Sequence, residues 1–293
     1  MMQDQAKSLR EKVLDLKKNE AKNTNFISIA SGKGGVGKTN IVANLAYIFA
    51  NHFNKKVLAF DADLGLGNLD VLLGIKTKYT LRDVIEYGFP IKNVIINYKN
   101  FDILPGLSDL TGLDEIQKDD IDYLIVKLKE ICKEYDFVLI DTSASLSKDV
   151  ISFIVSSNKT IVITTPEPTA LADAYALIKK LYMDFKYKNF ELIFNMVRDT
   201  KEFNESFKKF MFVCQKYLKF TPNFLGYLPF TLKLRECVKK RQLIADIYPN
   251  EEFSLKLKQI AAKILNIKLD IGKESFWDKF LKLFKFNSGD KNE

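Results

Sequence analysis

"NFISIASGKGGVGKTNIVANLAYIFANHF", residues 25–53, decides the fold. An apolar run over 25–31 gives way to a glycine-rich loop, and an amphipathic stretch over 39–53 follows. Within it "GKGGVGKT", 32–39, satisfies G-x-x-x-x-G-K-[ST] in the strand, loop, helix setting that the motif requires. The glycines let backbone N–H groups close around phosphate oxygens, and a helix N-terminus adds positive potential at the same place. Lys38 is placed to bridge the β- and γ-phosphates of a nucleoside triphosphate, with the Thr39 hydroxyl on Mg²⁺. The nucleotide contacts expected from this loop are Gly32, Lys33, Gly34, Gly35, Val36, Gly37, Lys38, Thr39 and Asn40.

Working outward, the same alternation continues. Apolar runs lie at 56–63, 101–106, 137–142, 160–165, 190–197 and 224–230, with amphipathic stretches near 119–134, 169–186, 201–219 and 251–266 between and after them. Continuous Val/Ile/Leu strands separated by helices predict βαβ units. Right-handed crossovers then give an α/β fold: a doubly wound, mostly parallel sheet with helices on both faces and the ligand at the carboxyl ends of the strands. One domain is expected over 24–268, with an arm at 1–23 and a tail at 269–293.

Composition narrows the classes. The 293 residues are 47% hydrophobic and 28% charged, the profile of an ordinary globular protein. No apolar run reaches the length needed to span a bilayer, and the charged start "MMQDQAKSLREKV" has no secretory core. Cys132, Cys214 and Cys237 lie far apart with no paired spacing, as expected of thiols in a reducing compartment. The formal net charge of +8 admits an anionic partner without choosing one. The lone His52 lacks ligand or triad partners and is expected to be structural.

Three strand-end carboxylates accompany the loop. "FVLIDT" ends in Asp141, the natural partner of the metal, directly or through its water. "VLAFDAD" carries Asp61 and Asp63 on one face, since alternate strand residues share a side. One of that pair can hold the metal's water shell while the other positions the attacking water; any single aspartate of the three can instead cap a following helix. Lys33 is a second lysine in a loop that needs one. It sits poorly for its own phosphates, and extra positive charge on a transferring phosphoryl group can come from another subunit. Lys33 is therefore expected to reach across a face-to-face dimer that the nucleotide holds together.

"SGKGGVGKTN" (31–40) resembles the deviant Walker A motif of the MinD/ParA class of ATPases, in which the additional lysine acts across a dimer. "DADLGLGNLD" (61–70), "FDILPG" (101–106), "DTSASLS" (141–147), "TTPEPTALADAYALIK" (164–179) and "GYLPF" (226–230) follow in that family's order and span most of 26–268. The resemblance implies a slow ATPase working with ATP and Mg²⁺. It implies Lys33, Lys38 and Asp63 as the catalytic set and Thr39, Asp61 and Asp141 around the metal. Asn195 and Pro229 are implied as adenine contacts. Most of the family continues the Walker B strand as D-T-G-A-G, where this chain has Ser143 and Ser145, and serine lacks glycine's backbone freedom.

The ends point to a branch. "DQAKSLR" (4–10) resembles the D-Q-A-x-x-L-R element of the FlhG (FleN/YlxH) flagellar regulators, whose arm docks on the signal-recognition-type GTPase FlhF and stimulates it. The carried-over residues are Asp4, Gln5, Ala6, Leu9 and Arg10; Gln5 and Leu9 share a helix face at i, i+4. Without that partner the stretch reads as a charged arm. At the other end Phe276, Trp277, Phe280, Leu281, Leu283 and Phe284 form an apolar face opposite Lys279, Lys282 and Lys285, suited to lying in a membrane interface or to packing on the core.

The resemblance therefore implies an ATP-dependent homodimer, cytoplasmic and peripheral on the inner face of the cytoplasmic membrane when ATP-bound, that regulates flagellar number and placement. Its expected partners are an FlhF-type GTPase, anionic inner-membrane lipid, and flagellar C-ring or transcriptional regulator proteins; sequence-specific nucleic-acid binding is not expected. The competing readings are a MinD-like division-site regulator and a ParA-like DNA-segregation ATPase, the latter drawing on the positive charge.

Overall fold

The computed structural model describes residues 24–63, 69–106 and 118–267. Strand β1, Asn25–Ala30, lies inside an eight-stranded sheet of order β3-β4-β2-β5-β1-β6-β7-β8. The others are β2 (Val57–Asp61), β3 (Ile96–Tyr98), β4 (Phe101–Leu104), β5 (Phe137–Asp141), β6 (Lys159–Thr164), β7 (Phe190–Val197) and β8 (Asn223–Pro229). Every pairing is parallel except β3 with β4, a hairpin whose turn places Lys99 and Asn100 at φ 46° and 70°. The doubly wound, mostly parallel arrangement expected from the sequence is present.

Helix α1, Lys38–Phe53, buries Ile41, Val42, Leu45, Ile48 and Phe49, the spacing of a helix with a wide apolar stripe. It is followed by α2 (Leu69–Leu73), α3 (Leu81–Tyr87), α4 (Lys118–Cys132), α5 (Lys148–Ser156), α6 (Pro168–Phe185), α7 (Thr200–Leu218), α8 (Leu232–Lys239), α9 (Ile244–Ile247) and α10 (Glu252–Ile264).

The period of two along the strands sorts the core. Ile27, Ile29, Ala59, Leu139, Ile161 and Ile163 pack with α1 and α10 on one face. On the other, Leu58, Phe60, Val138 and Ile140 meet α3 and α4, while Val162, Leu192 and Phe194 meet α5, α6 and α7. Phe194 is fully buried among Phe203, Phe207, Phe210 and Phe224. Truncating such a ring to alanine costs about 3–5 kcal/mol. Ser28, a polar residue on a buried strand, is satisfied by Ser157 Oγ at 2.6 Å and by donating to the Phe153 carbonyl.

The apolar runs become strands within a residue or two of their expected bounds. The β3 edge and helices α2, α3, α5, α8 and α9 were not foreseen. Among the described residues, no helix is long and apolar enough to cross a membrane. The arm residues Asp4, Gln5, Ala6, Leu9 and Arg10, and the tail residues Phe276, Trp277, Phe280, Leu281, Leu283 and Phe284, lie outside the described residues.

Candidate functional site

The parallel strands β1, β2 and β5 end at one level: Asp61 and Asp141 are register partners, and β1 runs from Ala30 into the glycine loop. Around these strand ends is a cavity of about 630 Å³. Gly34, Gly35, Gly37, Lys38, Thr39 and Asn40 of the loop line it, with Asp63, Asp141, Thr142 and Ala144.

The loop's own geometry prepares it for an anion. Gly37, at φ 93°, sits at the N-cap of α1 and gives that helix no side-chain cap, so the first-turn N–H groups stay available. A side chain at Gly37 would collide with Asn195 Nδ2, at 2.6 Å from an added Cβ, and one at Gly32 would meet the Asp173 carbonyl oxygen at 2.2 Å. The Ser31 hydroxyl accepts from Lys38 Nζ at 3.0 Å and donates to the Lys33 carbonyl at 2.7 Å, tying both ends of the loop together. Burial lowers the pKa of the Lys38 ammonium, while Asp141 and Asp63 pull it the other way.

The three aspartates stand in different surroundings. Asp61 is buried and accepts the N–H of Asp63 and of Leu69, each at 3.1 Å, so it ties Asp63 to the first residue of α2. Asp63 is on the cavity wall. Asp141 is buried with Oδ1 lacking a hydrogen-bond partner, while the Thr39 hydroxyl bonds to its carboxyl. Burial first, then the Asp61 and Asp63 charges, push that carboxyl up to about 7, against the pull of Thr39 and Lys38. An unpartnered buried carboxylate oxygen beside a hydroxyl at a phosphate loop fits a hard divalent cation that keeps most of its ligands as water and phosphate.

The remaining expected residues fall around this centre. Val36 is buried, and its carbonyl accepts from Asn195 Nδ2 at 2.8 Å; Asn195 Oδ1 is buried and unpartnered. Asn195 thus braces the loop, and neither it nor Pro229, the last residue of β8, is on the cavity wall. Lys33 Nζ donates to Glu167 Oε2 and Thr169 Oγ1 at the start of α6. Ser143, Ser145 and Ser147 link their hydroxyls at 3.0 and 3.2 Å, and Ser147 caps α5. His52 sits edge-on to Tyr47, away from the cavity, and Cys132, Cys214 and Cys237 are free and buried.

Sequence reasoning missed the rest of the wall: Val71 and Leu72 of α2, Met196 within the irregularity of β7 between Phe194 and Val197, and Val238, Lys239 and Arg241 at and just past the end of α8. Met196 and Arg241 adopt φ 59° and 55°, left-handed positions that no glycine announces.

The AAA domain family matches residues 24–193. The antiactivator FleN of Pseudomonas aeruginosa is 33% identical over 239 residues, covering 81% of this chain and 85% of that one. The flagellum site-determining protein YlxH of Helicobacter pylori is 33% identical over 271 residues, 90% of this chain and 91% of its own. Among solved structures, the septum site-determining protein MinD of Pyrococcus horikoshii, complexed with Mg-ADP, superposes with a TM-score of 0.65 at 28% identity, covering 82% and 96% of the two chains.

Proposed function

We propose that this chain, which belongs to the MinD/ParA-type P-loop ATPases in their FleN/YlxH (FlhG) branch, works as an ATP-operated dimerisation switch in flagellar placement and number. The observation that carries the nucleotide chemistry is the unpartnered Asp141 Oδ1, buried beside Thr39 at an uncapped helix N-terminus. Flagellar placement is supported by the two relatives, one an antiactivator and the other a site-determining protein.

The loop amides and Lys38 hold the β- and γ-phosphates. Thr39 and Asp141 would hold Mg²⁺, which would neutralise charge on the phosphates. Asp63, on the cavity wall, orients the attacking water, and Asp61 sets the height of Asp63 through its N–H. Lys33 leaves Glu167 and reaches the partner's nucleotide in the ATP dimer, so hydrolysis to ADP and phosphate dissolves the contact. Turnover is slow, and the output is binding rather than product.

The ends read the switch. Residues 1–23 are an activator arm, in which Gln5 orients water in an FlhF-type GTPase. The apolar face around Trp277 in residues 269–293 rests on anionic inner-membrane lipid, and a dimer presents two such faces at high effective concentration.

The test is GTP hydrolysis by a purified FlhF-type GTPase with a peptide of residues 1–22, and with its Gln5→Ala form. Stimulation by the native peptide alone supports the reading; no stimulation removes the GTPase from it.

A further inference from the structure

The nucleotide cavity carries a cation that phosphate-loop chemistry does not use. Met196, Val238, Lys239 and Arg241 line the cavity together with the glycine loop and with Val71 and Leu72 of α2; Met196 Cε would stand 3.8 Å from a Cβ added at Gly37. A thioether and an isopropyl group beside two cations suit a flat heteroaromatic base with its sugar.

Arg241 stands out within that group. Its backbone is left-handed, at φ 55°, a region that L-residues with a side chain enter only at a cost. Its side chain lies across Gly74, just past the end of α2. A Cβ added to Gly74 would stand 2.4 Å from Arg241 Cδ and 3.3 Å from Nη1, and Gly74 is itself left-handed at φ 67°. Two left-handed residues thus meet, one of them bare so that the other's side chain can pass over it. Among the described residues, Arg241 forms no ion pair with a carboxylate. Arg241 therefore lines the cavity of an anionic ligand with no carboxylate of its own.

Helix α2 connects this end of the cavity to the other. Its first N–H, from Leu69, donates to Asp61 Oδ2 at 3.1 Å, and Asp61 also holds the N–H of Asp63. Gly74 closes its far end by donating to the Val71 carbonyl at 3.3 Å.

We propose that Arg241 is a nucleotide-contact residue: its guanidinium meets the base and ribose half of the bound nucleotide, and its bed on Gly74 ties that contact to α2. This rests on the nucleotide reading above and adds a specificity residue to it. The planar guanidinium stacks on rings and donates in a fixed fork, which an ammonium does not. Occupancy of the base end then steadies α2, and through Asp61 the loop that carries Asp63.

The experiment is isothermal titration of the full-length protein with ADP, ATP and inorganic tripolyphosphate, for the wild type, Arg241→Gly and Arg241→Lys. Glycine keeps the left-handed backbone, so the fold is not at risk. Loss of one charge-assisted contact predicts dissociation constants for ADP and ATP raised on the order of tenfold in Arg241→Gly. Tripolyphosphate binding stays unchanged, and lysine recovers only part of the loss. An unchanged ADP constant, or an equal loss for tripolyphosphate, would overturn the contact. Gly74→Ala weakens ADP binding in the wild type and adds nothing in Arg241→Gly; additive losses would overturn the link to α2. A wild type that binds neither ADP nor ATP would instead overturn the nucleotide reading itself.

Discussion

Lys33 Nζ lies 3.0 Å from Glu167 Oε2 in the same chain, and 2.9 Å from Thr169 Oγ1. The lysine assigned to a partner's nucleotide is thus held at home by the start of α6. The pair is 39% and 67% exposed, so screening by water keeps the latch weak, at most about 1 kcal/mol. Glu167→Ala should raise the dimer fraction at sub-saturating ATP by roughly fivefold at most, from that same 1 kcal/mol. Light scattering at fixed ATP measures it, and a lower dimer fraction would make Glu167 an interface residue rather than a latch.

Asp63→Ala should trap the ATP dimer. The substitution leaves the Asp61 carboxylate and the loop amides in place, so binding persists while the water loses its guide. Phosphate release falls by about 10²-fold or more, the scale of a lost general-base or positioning group. An Asp63→Ala protein that hydrolyses ATP faster would refute the assignment.

The Asp141 carboxyl, at about 7 in the fold against a usual 3.8, binds its proton more tightly folded than unfolded. Its contribution to stability is full below about pH 4 and is lost as pH rises through 7. Asp141→Asn, neutral at every pH, should therefore melt higher than the wild type at pH 8 in the absence of Mg²⁺ and nucleotide. The gain is about 2–4 °C for each kcal/mol recovered, and it should vanish near pH 4. Calorimetry across that range checks it, and equal melting at pH 8 would contradict the buried charge.

Gly32→Ala should abolish nucleotide binding and loosen α6 together. An added Cβ would sit 2.2 Å from the Asp173 carbonyl oxygen, a backbone atom that moves only with its helix. Hydrogen exchange of α6 amides, measured beside ADP titration, reads both effects. Wild-type exchange with lost binding would place the fault in the loop alone.

Much of this was legible in the chain because its strands are continuous apolar runs and its loop needs glycine at fixed offsets. Asp61, Asp63 and Asp141 announced themselves at strand ends. The partners of Lys33 did not, since Glu167 lies 134 residues away and reads as an ordinary helix start. Two further wall residues were hidden for a different reason: Met196 and Arg241 take left-handed conformations that sequence signals assign to glycine or asparagine. Strand β3, three residues long with no apolar alternation, reads as loop until β4 pairs with it.

The most direct test is the molar mass of the full-length protein by light scattering with ATP and with ADP, for the wild type and Lys33→Ala. The wild type should be a dimer with ATP and a monomer with ADP, while Lys33→Ala should still bind ATP yet stay monomeric. A Lys33→Ala protein that dimerises as the wild type does would contradict it.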